Sequence, residues 1–300
     1  MASLREIRRR LRSTQSTKQI MRAMQLVSGS KFKRAQTRLL QGRQMLEFLD
    51  GLLQRILATA DGTERPLTHP LMARHEGAPG ALVIITSDAG LAGSYNTNLI
   101  QLAEGELKKD GVAGTHISYI GKRGHRYFTR RGYPAKDAHL DLAGRPMVAK
   151  LDAIGQVLMD RFLKGEISGV RLLYAKFVSP MVSRPTVKQW LPVQLEAGST
   201  TTAAGARRAE PKAAWPPYIF EPSVEQVFQD LLPRWAIATF RLILLEAFTS
   251  EHGARMIAMK NATDNAQEIL DSLTLKRNRI RQAAITKELS EIVGTVEALK

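Results

Sequence analysis

Two stretches at opposite ends of the chain repeat apolar or small residues on a three-then-four step. Toward the C-terminus these are Trp235, Ala238, Leu242, Leu245, Thr249, His252, Met256, Met259, Thr263, Ala266, Leu270 and Leu273. Toward the N-terminus they are Leu4, Ile7, Leu11, Thr14, Lys18, Met21, Gln25, Ser28, Phe32, Ala35, Leu39, Gly42, Leu46, Leu49, Leu53 and Ile56. A period of 3.5 lays one narrow stripe along a helix, the mark of a seam that winds around another helix. Residues 249–298 contain no proline and only two glycines, Gly253 and Gly294. Counted from Pro233, about 65 residues at roughly 1.5 Å each reach about 100 Å, too long for one domain to bury. The stripe therefore requires a second helix, and the N-terminal seam supplies it. The two pair antiparallel, because the chain must go out and return. The polar or small middle of the first seam allows close approach but adds little burial.

Between them the period changes. Asp61-Gly62 ends the first helix and Pro66 and Pro70 forbid its resumption. The runs 81–86, 116–121, 170–178 and 186–193 read as strands, and 99–109 and 147–164 as helices. Lys122, Arg123, Arg126, Arg130 and Arg131 read as a basic loop. This alternation predicts an α/β layer, parallel at its start. Residues 199–214 are low in complexity and read as a surface loop. Ser223 suits the N-cap of the last helix, with Glu225 and Gln226 in its first turn. Pro233 falls inside that helix and predicts a kink or restart, costing about 3 kcal/mol if forced straight. The last helix should overhang the first by about 20 residues, or roughly 30 Å, ending in an apolar tip of Ile292, Val293, Val296 and Leu299. Such a tip needs a partner around it.

Charge sharpens the picture. Lysine plus arginine number 44 against 28 acids, a net charge of +16. Residues 1–43 hold twelve basic side chains against Glu6 alone, enough to attract an anionic partner. The first twenty residues have the composition of a transit peptide, but the seam runs past residue 50 where a leader would hand over. The absence of cysteine removes disulfides, thiolate metal sites and cysteine nucleophiles. No run approaches the length of a bilayer span.

Candidate chemistry is sparse. Residues 81–96 read as strand, glycine turn and helix, yet Gly90-x-x-Gly93 is not the dinucleotide fingerprint, and no Walker motif occurs. A structural turn is the simpler reading, with Asp88 as a turn hydrogen-bonder. His69, His75, His116, His125, His139 and His252 lack metal-ligand spacing, and Ser94 lacks a nucleophile elbow. No catalytic residue, metal ligand or cofactor is assigned. The basic first helix admits two readings, a nucleic-acid-binding coiled coil or a shaft inside an acidic protein collar. Interleaved aromatics, which the first would favour, are scarce: Phe32 is the only one before Phe48.

Several segments are familiar. LREIRRRLRSTQSTKQIMRAMQLVSGSKFKRAQ, SDAGLAGSYNTNLI, SEHGARMIAMKNATDNAQEIL and RQAAITKELSEIVGTVEAL resemble the gamma subunit of F-type ATP synthases, the central rotor shaft. Departures are Ala89 and Ala92, where that family usually has a charged residue and often a cysteine, together with Pro233 and the 199–214 tract. The resemblance implies an α+α/β fold: a long antiparallel coiled coil of N- and C-terminal helices (1–60 and 221–300) with an inserted Rossmann-like α/β domain (75–220). It implies torque transmission between a membrane ion-translocating ring and the alpha/beta catalytic hexamer, with no active site on this chain. Met24, Arg255, Gln282 and Thr286 match positions contacting the beta subunit. Phe220 and Glu221 match the foot on the membrane ring, and the apolar tip matches a bearing in the hexamer. The implied partners are the alpha, beta and epsilon subunits and the c-ring. No direct nucleotide or nucleic acid is implied. The implied location is peripheral, at the cytoplasmic face of the bacterial plasma membrane.

Overall fold

The computed structural model describes residues 4–60, 67–110, 115–142, 148–195 and 220–298. The tract 199–214 and Leu299 therefore lie outside the described residues. In chain order the helices are α1 (Leu4–Ala60), α2 (Tyr95–Asp110), α3 (Lys122–Thr129), α4 (Val148–Leu163) and α5 (Val224–Ala298). The strands are β1 (Gly80–Ile85), β2 (Thr115–Ile120), β3 (Asp137–His139), β4 (Gly169–Phe177) and β5 (Ser183–Leu191). A short 3-10 turn spans Pro70–Met72. The chain divides into two units, one of residues 1–30 and 255–300, the other of residues 31–254.

The larger unit carries a five-stranded sheet in the order β3-β2-β1-β4-β5. β1 runs parallel to both β2 and β4, β2 runs parallel to β3, and only β5 is antiparallel. The apolar run of β1 follows from burial on both faces. Ala81, Val83 and Ile85 belong to one core with α4 and α5, while Leu82 and Ile84 belong to another with α2 and α3. Residues 242–253 of α5 are all buried, the polar Glu246, Thr249, Ser250, Glu251 and His252 among them.

Polar anchors fix α5 in this unit. Trp190 Nε1 donates to the carbonyl of Ala236 (2.8 Å), Ser250 Oγ to that of Ala175 (3.0 Å) and Tyr95 Oη to that of Ala247 (3.1 Å). Arg241 grips Asp152 with two bonds of 2.6 and 2.7 Å. Within the same unit α1 lies antiparallel to α5. A Cβ on Gly253 would meet Phe32, one on Gly42 would meet Leu242, and Trp235 Nε1 donates to Asp50. From Phe32 to Asp50 is eighteen steps up one helix, and from Gly253 to Trp235 eighteen down the other.

Two expectations need correction, and one short strand was not foreseen. The basic loop 122–131 is largely helical, because Gly124 and Phe128 give it a buried face while its cations turn outward. β3, a three-residue edge strand, carries too little pattern to be read from sequence. Of the kink or restart expected at Pro233, the restart does not occur: α5 is one continuous helix through that residue. Proline removes the amide that would bond the Gln229 carbonyl. That carbonyl instead meets the His69 imidazole, whose Nδ1 accepts from the amide of Leu71 (3.0 Å), while Gln229 Nε2 donates to the carbonyl of Thr68 (2.7 Å). The predicted N-cap is present, with Ser223 Oγ accepting from the amide of Gln226 at 3.2 Å.

Asp137 on the edge strand is gripped by Arg161 through two bonds, which hold its carboxyl below the usual carboxylate range against the opposing effect of burial. Its folded value lies below its unfolded one. The stability it adds is therefore present above the unfolded value and lost as pH falls through the folded one. Asp137→Asn is expected to remove about 1 kcal/mol at neutral pH and to flatten the acid limb below about pH 4, as read by urea unfolding of the full chain across pH.

Candidate functional site

In the smaller unit, residues 4–30 of α1 pair with 255–298 of α5. Lys18 Nζ donates to Gln267 Oε1, and a Cβ on Gly29 would lie 3.4 Å from Met256 Sδ. Eleven steps up one helix match eleven down the other, again an antiparallel register of one residue for one. The predicted seam positions are the covered ones. Ile7, Ser28, Met259, Thr263, Ala266 and Leu270 are buried, and Leu11, Thr14, Lys18, Met21, Gln25, Met256 and Leu273 half-buried. The polar members are reconciled locally: Thr263 Oγ1 donates to the carbonyl of Met259 (2.8 Å), and Lys18 spends its charge on Gln267.

Continuing the register places Leu4 opposite Arg281, and residues 281–295 are all exposed. Within that stretch Ile285, Leu289, Ile292 and Val293 stand 49–64 % exposed. Ile285, Leu289 and Ile292 repeat the three-four spacing, forming a second apolar stripe that none of the described residues covers. Val296 continues it in sequence within α5. Gln282 and Thr286 sit on this overhang, both exposed, the threonine hydroxyl donating to the glutamine carbonyl at 3.0 Å. Met24 flanks the seam half-buried, and Arg255 is buried at its far end. Around α1, Arg5, Arg8, Arg9, Arg10, Arg12 and Arg22 all point to solvent, and the one acid among them, Glu6, pairs with Arg10 at 2.8 Å. Of the predicted contact residues, Met24, Arg255, Gln282, Thr286, Ile292 and Val293 fall in this unit. Phe220 and Glu221 fall in the other, Phe220 packed on the core and Glu221 exposed.

The turn after β1 is structural in its geometry. Asp88 Oδ1 accepts from the amides of Lys122 (3.1 Å) and Asp141 (3.0 Å), capping α3 and holding the strand-β3 exit. The Ser87 amide and hydroxyl both meet Asn96 Oδ1. The Arg123 guanidinium lies over Gly90, where a Cβ would be 2.1 Å from Nη2. Among the described residues no three His, Asp or Glu side chains are grouped to hold a metal ion, and no helix is long and apolar enough to cross a membrane.

Sequence reasoning missed a buried charged cluster in the larger unit. Arg43 reaches Glu246 at 2.7 Å, and Glu246 also takes the Tyr174 hydroxyl. Burial pushes the Lys188 ammonium below the ordinary lysine value, against the pull of Glu246 and Asp50. The signal available was Arg43 and Asp50 beside seam positions of a helix otherwise apolar on that face.

Two terminal helices in an antiparallel seam, with a mixed sheet inserted between them and one helix end left bare, define a stalk-type coiled-coil protein. The family model for ATP synthase matches residues 3–299. The ATP synthase gamma chain of Moorella thermoacetica is 38% identical over 300 residues, and that of Anaeromyxobacter dehalogenans (strain 2CP-C) 39% over 301, each covering 100% of both chains. The chain belongs to the ATP synthase gamma-chain family. Its fold is also that of a chain in the Euglena gracilis mitochondrial ATP synthase (OSCP/F1/c-ring, rotational state 3). There the TM-score is 0.66 at 18% identity, covering 99% of this chain and 94% of that one. A chain in the Tetrahymena thermophila central stalk and c-ring structure gives a TM-score of 0.58 at 22% identity, covering 81% of this chain and 99% of that one.

The seam predicts a contrast between two of its glycines. A Cβ at Gly29 makes ordinary contact with Met256, so Gly29→Ala is expected to stabilise the chain by about 0.5–1 kcal/mol through helix propensity. A Cβ at Gly253 meets the Pro180 carbonyl at 3.2 Å and the Phe32 ring at 3.3 Å, so Gly253→Ala gains nothing or destabilises. Urea unfolding of both variants checks the pair.

Proposed function

We propose that this chain is the central-stalk subunit of a rotary ATP synthase, a mechanical coupler between a membrane ion-translocating ring and an alpha/beta catalytic hexamer. The observation that carries the proposal is the exposed apolar overhang of α5 beyond its α1 partner, in a chain of the gamma family. An apolar stripe on a bare helix end is stable in water only inside a partner. In this reading Ile292, Val293, Val296 and Leu299 turn in an apolar bearing. Gln282 and Thr286, exposed just below, and Arg255 lower down, meet the beta subunit. Met24 and the arginines of α1 face an acidic segment of beta, for which the outward charge of that helix is suited. Phe220 and Glu221 stand at the foot toward the c-ring, and epsilon packs on the sheet domain. The chain thereby sits at the cytoplasmic face of the membrane through its partners.

Such a subunit works by contact energy alone. A partner shifts an equilibrium among site conformations only as far as its contacts differ between them. A shaft presenting different side chains on different faces supplies that difference as it turns.

The test is co-assembly of the full chain with its alpha and beta subunits, with a bead fixed to the sheet domain. ATP-driven rotation in one direction is the expected result, and failure to co-assemble overturns the reading. Deleting residues 291–300 is expected to leave the complex assembled while reducing coupled ATP hydrolysis several-fold. Complete loss of assembly from that truncation would argue against the overhang as a bearing. Retention on DNA in place of the hexamer, falling steeply with salt, would mark the basic helix as a nucleic-acid surface.

A further inference from the structure

The proline inside α5 is answered from outside the helix, and by a group that titrates. His69 uses its two ring nitrogens with opposite polarity. Nδ1 accepts from the amide of Leu71 at 3.0 Å, so the proton that meets the Gln229 carbonyl, left open by Pro233, is carried on Nε2. Only the neutral imidazole, in this one tautomer, serves both bonds. A second proton would sit on Nδ1, against the Leu71 amide hydrogen, and the ring would have no acceptor left.

The joint is built from both sides. Leu71 is fully buried and its carbonyl accepts from the amide of Val193 at 2.8 Å, which ties the turn Pro70–Met72 to the chain just past β5. On α5, Gln229 Nε2 reaches back to the Thr68 carbonyl at 2.7 Å. Phe228, fully buried, meets the imidazole edge-on with ring centroids 6.3 Å apart. Burial pushes the His69 pKa below the ordinary histidine value and outweighs the Gln229 bond, which pulls the other way. Among the described residues no acid or base of the 67–73 strap, the sheet or α5 adds to these two influences. A charged ring is therefore more stable out of this seat than in it.

We propose that His69 is an acid-released latch on the proline joint of α5. Protonated, the ring gives up the Leu71 amide and leaves its seat, residues 68–72 loosen from α5, and the Gln229 carbonyl loses its partner. The sign follows from linkage: with the folded value below the unfolded one, the latch adds stability above the unfolded value, about 6.5, and loses it as pH falls through the folded one. The turns around Pro233 are then where α5 bends most readily, since proline has already removed one of their backbone bonds. The latch stands on this chain's own geometry. Only its consequence for coupling, a foot end that yields when the medium acidifies, rests on the functional reading above.

The experiment follows amide hydrogen exchange in the full-length chain, with rates corrected for the intrinsic effect of pH. An open imidazole of ordinary pKa, about 6.5, is about ten parts charged to one neutral near pH 5.5, so opening there is favoured up to roughly tenfold. Protection over residues 68–73 and 224–233 is expected to fall several-fold between about pH 7.5 and about pH 5.5. His69→Gln, uncharged throughout and able to donate to the Gln229 carbonyl, is expected to abolish that pH dependence. His69→Asn, whose oxygen stands in for Nδ1 toward Leu71, is expected to do the same. Exchange of the His69 Cε1 hydrogen titrates the ring directly and is expected to turn below the ordinary histidine value. Protection that stays flat with pH in the unaltered chain, or a ring that titrates at or above the ordinary value, overturns the latch, whether or not either variant folds. A pH-dependent loss of the same size in a folded variant overturns it as well.

Discussion

The one-for-one antiparallel register of α1 and α5 is the constraint on which the rest of the structure depends. In each unit separately, a step up one helix matches a step down the other. A one-residue slip would turn a helix by about 100° relative to its partner, carrying exposed cations such as Arg8 and Arg22 toward the seam. The apolar ends of the seam supply burial, at about 1.5–3 kcal/mol for each fully covered Leu, Ile or Met. Polar members add little energy but restrict which alignments are acceptable. Glu246 can be buried only where Arg43 reaches it, and Asp50 is satisfied only where the indole of Trp235 arrives.

How much of this was legible depends on where the physics is periodic. Every seam position named from the sequence is covered in the structure, because a 3.5 period sustained over fifty residues arises where one helix winds against another. The four longer strands were legible within a few residues, since β1 is buried on both faces and reads as a continuous apolar run. α3 was hidden because five cations in ten residues look like a solvated loop, and its buried face is only Gly124 and Phe128. The restart expected at Pro233 failed to appear for a different reason. The rule about proline concerns an orphaned carbonyl, and here a residue far away in sequence, His69, attends to it. No local pattern reports such a partner.

Candidate contact residues were legible only through family likeness. Periodicity marks Ile292 and Val293 as an apolar stripe, and charge marks α1 as facing something acidic. Nothing in spacing or composition separates Gln282 and Thr286 from any other polar pair on an exposed helix. Their side chains form no contact that would distinguish them, the threonine bonding only to its own helix backbone.

The composition of α5 changes along its length in step with its surroundings. Residues 242–253 are buried on all sides and are apolar or paired; those from 256 to 273 show a stripe; those from 281 to 295 are exposed throughout. A helix adapted only to its own fold would have no reason to keep Ile285, Leu289, Ile292 and Val293 at its bare end, where they favour aggregation. Their exposure there, in a chain otherwise rich in charge, is what the proposed apolar bearing accounts for. The packing of the described residues accordingly ends where the seam does, and residues 281–295 are the surface on which the proposed coupling depends.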